Sequence, residues 1–169
     1  MKKCFLRILS VILVLLLSVT SCKKNDANPK EQILGVRDQF SDSLRSVRFY
    51  RSDALPGEAG YTDQGLIASL LGNGKDYPPE MAEVSEYAFL CASQIEICEV
   101  WSIKCRTHSS AKKIYVLLEK RKERISALNY ESEYDTEAAS HAHTAINGKN
   151  VYFAATKNAE QIIRYLLDG

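Results

Sequence analysis

Apolar residues at Ile33, Val36, Phe40, Leu44 and Val47 recur every three to four positions and predict an amphipathic helix over residues 31–47. The period then breaks. Residues 52–62 hold Pro56-Gly57 and Gly60 and read as a loop. Asp63 next offers an N-cap to a short helix carrying Leu66, Ile67, Leu70 and Leu71. Gly72 stands where a left-handed residue would close that helix. Asn73-Gly74 and Pro78-Pro79 make the following connection irregular.

From Ser85 the period shortens to two. Residues 87–92 and 97–105 are rich in strand formers and are separated by a short turn containing Ser93-Gln94, which predicts an antiparallel hairpin. In its second strand Trp101, Ile103 and Cys105 share one face and Ser102, Lys104 and Arg106 the other, so one side reads as core and the other as wet. Ser109 and Ser110 precede a long helix with an apolar stripe of Ile114, Leu117, Leu118, Ile125 and Leu128. Its other face is basic, with Lys112, Lys113, Lys120, Arg121, Lys122 and Arg124. After an acidic, tyrosine-containing loop over residues 129–137, two strand-like runs, 141–146 and 151–155, flank Asn147-Gly148-Lys149-Asn150, a strong hairpin signal. Ala159, Ile162, Ile163, Leu166 and Leu167 predict a closing helix. The expected fold is therefore α+β: a mainly antiparallel four-stranded sheet in the order hairpin, helix, hairpin, helix, with helices packed on one face and N-terminal helices preceding it.

The first residues follow a different rule. Lys2, Lys3 and Arg7 give a basic start, residues 8–17 are apolar except for Ser10, and Leu17-Ser18-Val19-Thr20-Ser21-Cys22 ends the run. The apolar segment is too short to span a bilayer, which takes roughly 20 residues. An export signal would normally end in an A-x-A-like site, whereas small residues leading directly into a cysteine read as a bacterial lipobox. That reading implies cleavage before Cys22 and a diacylglyceryl group on its thiol. It divides the chain into a signal peptide (residues 1–21), a lipidated cysteine with a polar tether (22–31) and one α+β domain (32–169). Lys23 and Lys24 would then lie close to lipid headgroups.

Composition acquires meaning only after this division. The chain of 169 residues carries a net charge of +1. Loss of Lys2, Lys3 and Arg7 with the signal leaves about −2, which gives no support to nucleic acid as a partner. Of five cysteines, Cys4 leaves with the signal and Cys22 takes the lipid, so Cys91, Cys98 and Cys105 remain. They occupy hydrophobic positions and read as small core residues. If one disulfide forms, Cys91 to Cys98 is the pair that a tight hairpin would set opposite one another.

The segment from Pro79 to Gly169 carries Glu86-Tyr87-Ala88-Phe89-Leu90, Glu99-Val100-Trp101-Ser102-Ile103-Lys104, Glu119-Lys120-Arg121 and Asn147-Gly148-Lys149-Asn150-Val151-Tyr152. In these it resembles an uncharacterised domain family found in lipoproteins of Gram-positive bacteria. The resemblance implies an α+β domain of unknown function and supplies no catalytic set.

Candidate chemistry is sparse. His141 and His143, two apart, would share one face of a strand, a spacing able to bind zinc or copper with help from His108 or from Glu133, Asp135 and Glu137. A solvent-facing pair on a sheet edge is the plainer reading, and no metal or other cofactor is called for. The basic helix face could dock on anionic wall polymer or lipid headgroups, although Glu119 and Glu123 interleave as on any solvated helix. Tyr130 and Tyr134 lie among Glu131, Glu133 and Asp135 in a loop suited to ligand or partner contact, or simply folded over the core. The chain lacks a G-x-S-x-G elbow, a phosphate-binding glycine loop, H-E-x-x-H and C-x-x-C. The expectation is a lipid-anchored, extracytoplasmic binding or accessory module of the cell envelope, contacting the membrane through Cys22 and an envelope protein or wall polymer through its domain. A small envelope hydrolase or metal-dependent enzyme using His108, His141 and His143 is the alternative.

Overall fold

A computed structural model describes residues 27–92 and 96–169. The signal segment, Cys22 and the Ser93-Gln94 turn lie outside the described residues. The elements run α1 (Pro29–Gln39), β1 (Arg48–Arg51), α2 (Gln64–Leu70), β2 (Val84–Cys91), β3 (Glu99–Cys105), α3 (His108–Ser126), α4 (Glu133–Ser140), β4 (His143–Asn147), β5 (Asn150–Ala155) and α5 (Ala159–Asp168). Short 3-10 turns at Ser41–Ser43 and Pro79–Glu83 precede β1 and β2. The strands form one open antiparallel sheet in the order β1-β2-β3-β5-β4, so the fold is α+β with five strands among the described residues.

Both predicted hairpins are present, and they meet through β3 and β5 rather than through their outer strands. The fifth strand, β1, is a four-residue edge strand, Arg-Phe-Tyr-Arg, too short to establish a period of its own. Its Tyr50 lies opposite Phe89, which lies opposite Trp101, which in turn lies opposite Phe153. Tyr50 stacks on Phe89 at 4.8 Å and Phe89 on Trp101 at 3.9 Å between ring centroids. These cross-strand contacts add to plain burial and fix the register.

The helices cover both faces, not one. Phe89, Trp101, Ile103, Val151 and Phe153 pack against Ile67 of α2, Ile114, Leu118 and Ile125 of α3, and Ala138 of α4. On the reverse face Ala88, Leu90, Val100, Tyr152 and Ala154 pack against Ile33 and Val36 of α1 and Ile162, Ile163 and Leu166 of α5. The expected wet side of β3 is dry because its polar residue has a polar partner. Ser102 is only 1% exposed, and its hydroxyl donates to Gln32 Oε1 at 2.7 Å. The Gln32 amide in turn donates to the Leu166 carbonyl at 3.1 Å. One glutamine thus joins α1, β3 and α5 and satisfies groups that would otherwise be costly to bury.

Local chemistry shifts several boundaries. α1 starts at Pro29, capped by Asn28 Oδ1, within the span read as tether. It stops at Gln39, where Ser41, Asp42 and Ser43 compete for the backbone, although Phe40 and Leu44 still pack beneath the sheet. Asp63 caps α2 as expected, through Leu66 N–H at 2.7 Å. Gly72 is not left-handed, whereas Gly74 is, at φ +88. Gly72 is instead a close approach, where a Cβ would run into the Asp76 and Ala68 carbonyl oxygens. α3 is capped by Thr107 and Ser110 in a reciprocal pair, and Leu128 lies beyond its end, 60% exposed. The loop read over residues 129–137 contains the first half of α4, capped by Ser132. At the second hairpin Gly148 takes φ +62 while Lys149 keeps negative φ, a type II′ turn.

Candidate functional site

The sheet has two ends, and the candidate residues gather near one or the other. At one end Cys91, Glu99 and Ala155 are successive cross-strand partners, with His143 opposite Ala154. At the other end Glu86, Lys104, Asn150 and Asn147 form the corresponding row. The second is the near end, where Asn28, Pro29 and Lys30 share a cleft with Glu86 as the described chain enters, and the first is the far end.

The far end is organised around a buried ion pair. Glu99, 2% exposed, receives the Trp101 indole N–H on Oε1 at 2.6 Å and the Arg121 guanidinium on Oε2 at 2.9 and 3.2 Å. Both carboxylate oxygens are thereby occupied, as a buried charge requires. Arg121 was read from sequence as part of a basic outer face, yet it points inward, and so does Arg124, whose guanidinium donates to the Leu70 and Gly72 carbonyls at the end of α2. Burial, together with the nearby Arg121 charge, pulls Arg124 below the ordinary arginine value. Two signals in the sequence pointed to this cluster. Glu99 lies one step along the Trp101, Ile103, Cys105 face, and Arg121 follows Ile114 and Leu118 on the apolar stripe by helical spacing.

The tyrosines are tied in rather than displayed. Tyr130 donates to the Ile125 carbonyl at 2.7 Å. Tyr134, 7% exposed, donates to the Ser43 carbonyl at 2.7 Å, and the Arg45 guanidinium sits 3.9 Å above its ring centre. Burial, with Cys98 alongside, pushes the Tyr134 phenol well above its usual range. Asp135, also buried, accepts the Ile97 N–H at 2.9 Å and so fixes the entry to β3. Residues 130–135 therefore clamp the far end instead of presenting a free loop.

Cys91, Cys98 and Cys105, the cysteines among the described residues, are free. Cys91 lies opposite Glu99, and Ala92 N–H donates to the Cys98 carbonyl, so the pairing does not set Cys91 across from Cys98. Burial and the Glu99 charge push the Cys91 thiol up to about 12, and burial raises Cys105 to about 11. Neither is an activated nucleophile.

His141 and His143 do come together, though not on a strand. His141 is the C-cap of α4 and β4 begins only at His143. Both line an open cleft of about 370 Å³ with Lys157, Asn158, Glu160 and Gln161. Lys157 is paired with Glu137 at 2.5 Å and Glu160 with Arg164 at 2.5 Å, so the cleft offers hydrogen-bonding groups more than net charge. The Asn158 amide donates to Ser43 Oγ at 2.5 Å, and α5 begins without a side-chain cap. His108 is at the near end, in a separate cleft with Lys112, Tyr115, Val116, Ile146 and Gly148. The His108, His141, His143 set is thus not assembled, and among the described residues no three His, Cys, Asp or Glu side chains are grouped to hold a metal.

No known protein family, characterised protein or solved structure matches the chain.

Proposed function

We propose that this protein is a lipid-anchored, extracytoplasmic binding or accessory module of a bacterial cell envelope, like the Gram-positive lipoproteins that its last ninety or so residues resemble. The observation that carries the reading is the sequence Leu17-Ser18-Val19-Thr20-Ser21-Cys22 after a basic start and a short apolar run. The arrangement of the domain supports it. The chain enters at the near end, while the polar His141 and His143 cleft opens at the far end, the side turned toward other envelope components in an anchored molecule. A cleft of donors and acceptors whose charges are largely paired within the protein suits a polar partner, such as a segment of an envelope protein or a wall polymer, held by hydrogen bonds. Raised thiols and separated histidines leave little with which to drive bond cleavage.

The test is metabolic labelling with a palmitate analogue in cells producing the full chain. Wild type is expected to take up label and Cys22→Ser to take up none. Equal incorporation in the two would remove the lipid anchor and, with it, the assignment to the membrane.

A further inference from the structure

The near end differs from a merely solvated surface in one respect. Most of its carboxylates are already engaged: Glu83 with Lys113, Glu86 with Lys104, and both Asp53 and Glu58 with Arg51, while Glu80 stands near Lys113 without closing an ion pair. Arg106, Lys112 and Lys149 are exposed, and among the described residues none of them has a carboxylate within ion-pair distance. They are left as excess positive charge. Between Lys112 and the β4–β5 turn lies an exposed apolar strip, with Val116 52% and Ile146 37% exposed, flanking a shallow cleft of about 260 Å³.

We infer that this near end is a membrane-docking surface, on which Arg106, Lys112 and Lys149 meet anionic phospholipid headgroups and Val116 and Ile146 rest in the interfacial layer. The inference rests on the lipid-anchor reading for its geometry. Asn28 lies six residue steps beyond Cys22, a span of at most about 20 Å fully extended. Asn28 lines the cleft beside Glu86, in the same row of the sheet as Asn147. Three strand spacings, about 15 Å, separate β2 from β4 along that row. An anchor at Cys22 therefore leaves the end bearing Gly148 and Lys149 within reach of the headgroups. Positive charge beside apolar side chains is the composition of an interfacial contact, and its attraction to anionic lipid weakens with salt.

The wild-type full chain, purified in detergent and reconstituted into vesicles, provides the test. One set of vesicles is phosphatidylcholine alone and the other contains one third phosphatidylglycerol. A water-soluble amine-acylating reagent then reports the accessibility of individual lysines by mass spectrometry. Lys112 and Lys149 are expected to react several-fold more slowly on the anionic vesicles and to recover in high salt, while Lys75 and Lys157 react alike on both. The paired change R106Q/K149Q should abolish the slowing at Lys112. Equal rates on the two vesicles, or equal slowing of all four lysines, would overturn the proposal. Slowing by soluble anionic wall polymer on neutral vesicles, with none from anionic lipid, would give the surface to the polymer and end the membrane version. The mass of the peptide beginning at Cys22, read in the same digest, separates the two readings. An unmodified Cys22 with protection retained removes the anchor and leaves the docking surface, and a lipidated Cys22 without protection does the reverse.

Discussion

The two ends of the sheet differ in that only the far end carries a buried ion pair among the described residues. At the far end Glu99 and Arg121 are withdrawn from solvent, Tyr134 bridges α4 to the segment before β1, and Asp135 holds the start of β3. At the near end the charged groups sit at the surface, in pairs such as Lys113 with Glu83 or, as at Lys112 and Lys149, without an ion-pair partner among the described residues. Buried charge fixes geometry because removing either partner strands the other without water. Exposed charge leaves the fold almost indifferent and is free to serve association. The far end is thus where stability is concentrated, and the near end is where a surface is kept available.

The largest expected effect comes from breaking the far-end pair. Glu99→Ala leaves the largely buried Arg121 without a counter-ion and the Trp101 indole without an acceptor, and should cost about 3 kcal/mol. Urea unfolding followed by circular dichroism measures it. A double change, Glu99→Leu with Arg121→Met, should recover the part of that loss due to the stranded charge, while the buried Trp101 N–H stays unpaired. A neutral Glu99→Ala would erase the contrast between the ends.

Alkaline pH probes the same region through Cys91. Its folded value is about 12 against an ordinary 9.0, so the native state keeps a proton that the unfolded chain gives up. The stabilisation is complete below pH 9 and disappears as pH rises toward 12. At pH 10 the thiol should already account for about 1 kcal/mol of lost stability relative to pH 8. Cys91→Ala should show a shallower fall in unfolding midpoint over that window. An identical slope in the variant would place the titrating group elsewhere.

How much of this was legible in the sequence depends on what each residue had to announce. The two hairpins, the capped α2 and the closing helix were visible because their periods and turn residues agree, as in Asn147-Gly148 and in the Ile162, Ile163, Leu166 stripe. β1 was not, since four residues between two arginines give no period. The second layer of helices was hidden by Ser102, whose polarity looked like solvent exposure until Gln32, seventy residues away, supplied its partner. Arg121 and Arg124 were misplaced for the same reason: a charge is assigned to water unless its counterpart can be seen, and Glu99 and the Leu70 carbonyl are distant in sequence. The histidine pair was located correctly as neighbours, but the geometry assumed for it failed because α4 extends to Ser140.

Tyr134 offers a finer cut within the far end. Tyr134→Phe keeps the ring beneath Arg45 and removes only the hydroxyl that donates to the Ser43 carbonyl. The loss should be about 1 kcal/mol, the usual contribution of one partly buried hydrogen bond. A loss as large as that of Glu99→Ala would show that the clamp, rather than the ion pair, holds this end together. Calorimetric unfolding of the two variants side by side decides between them.

The smallest expected effect is the sharpest test of the comparison, because it is an expected absence of change. Arg106, Lys112 and Lys149 lie at the end of β3, in the first turns of α3 and in the β4–β5 turn, all exposed. None donates a side-chain hydrogen bond among the described residues. Converting all three to Gln keeps side-chain bulk and helix propensity while removing the charge. The thermal midpoint should stay where it was at low and at high salt, since no native contact is lost and mutual repulsion among the three is modestly relieved. A drop in midpoint would mean that the near end has structural work for these cations, and the division of labour between the two ends would then have to be redrawn.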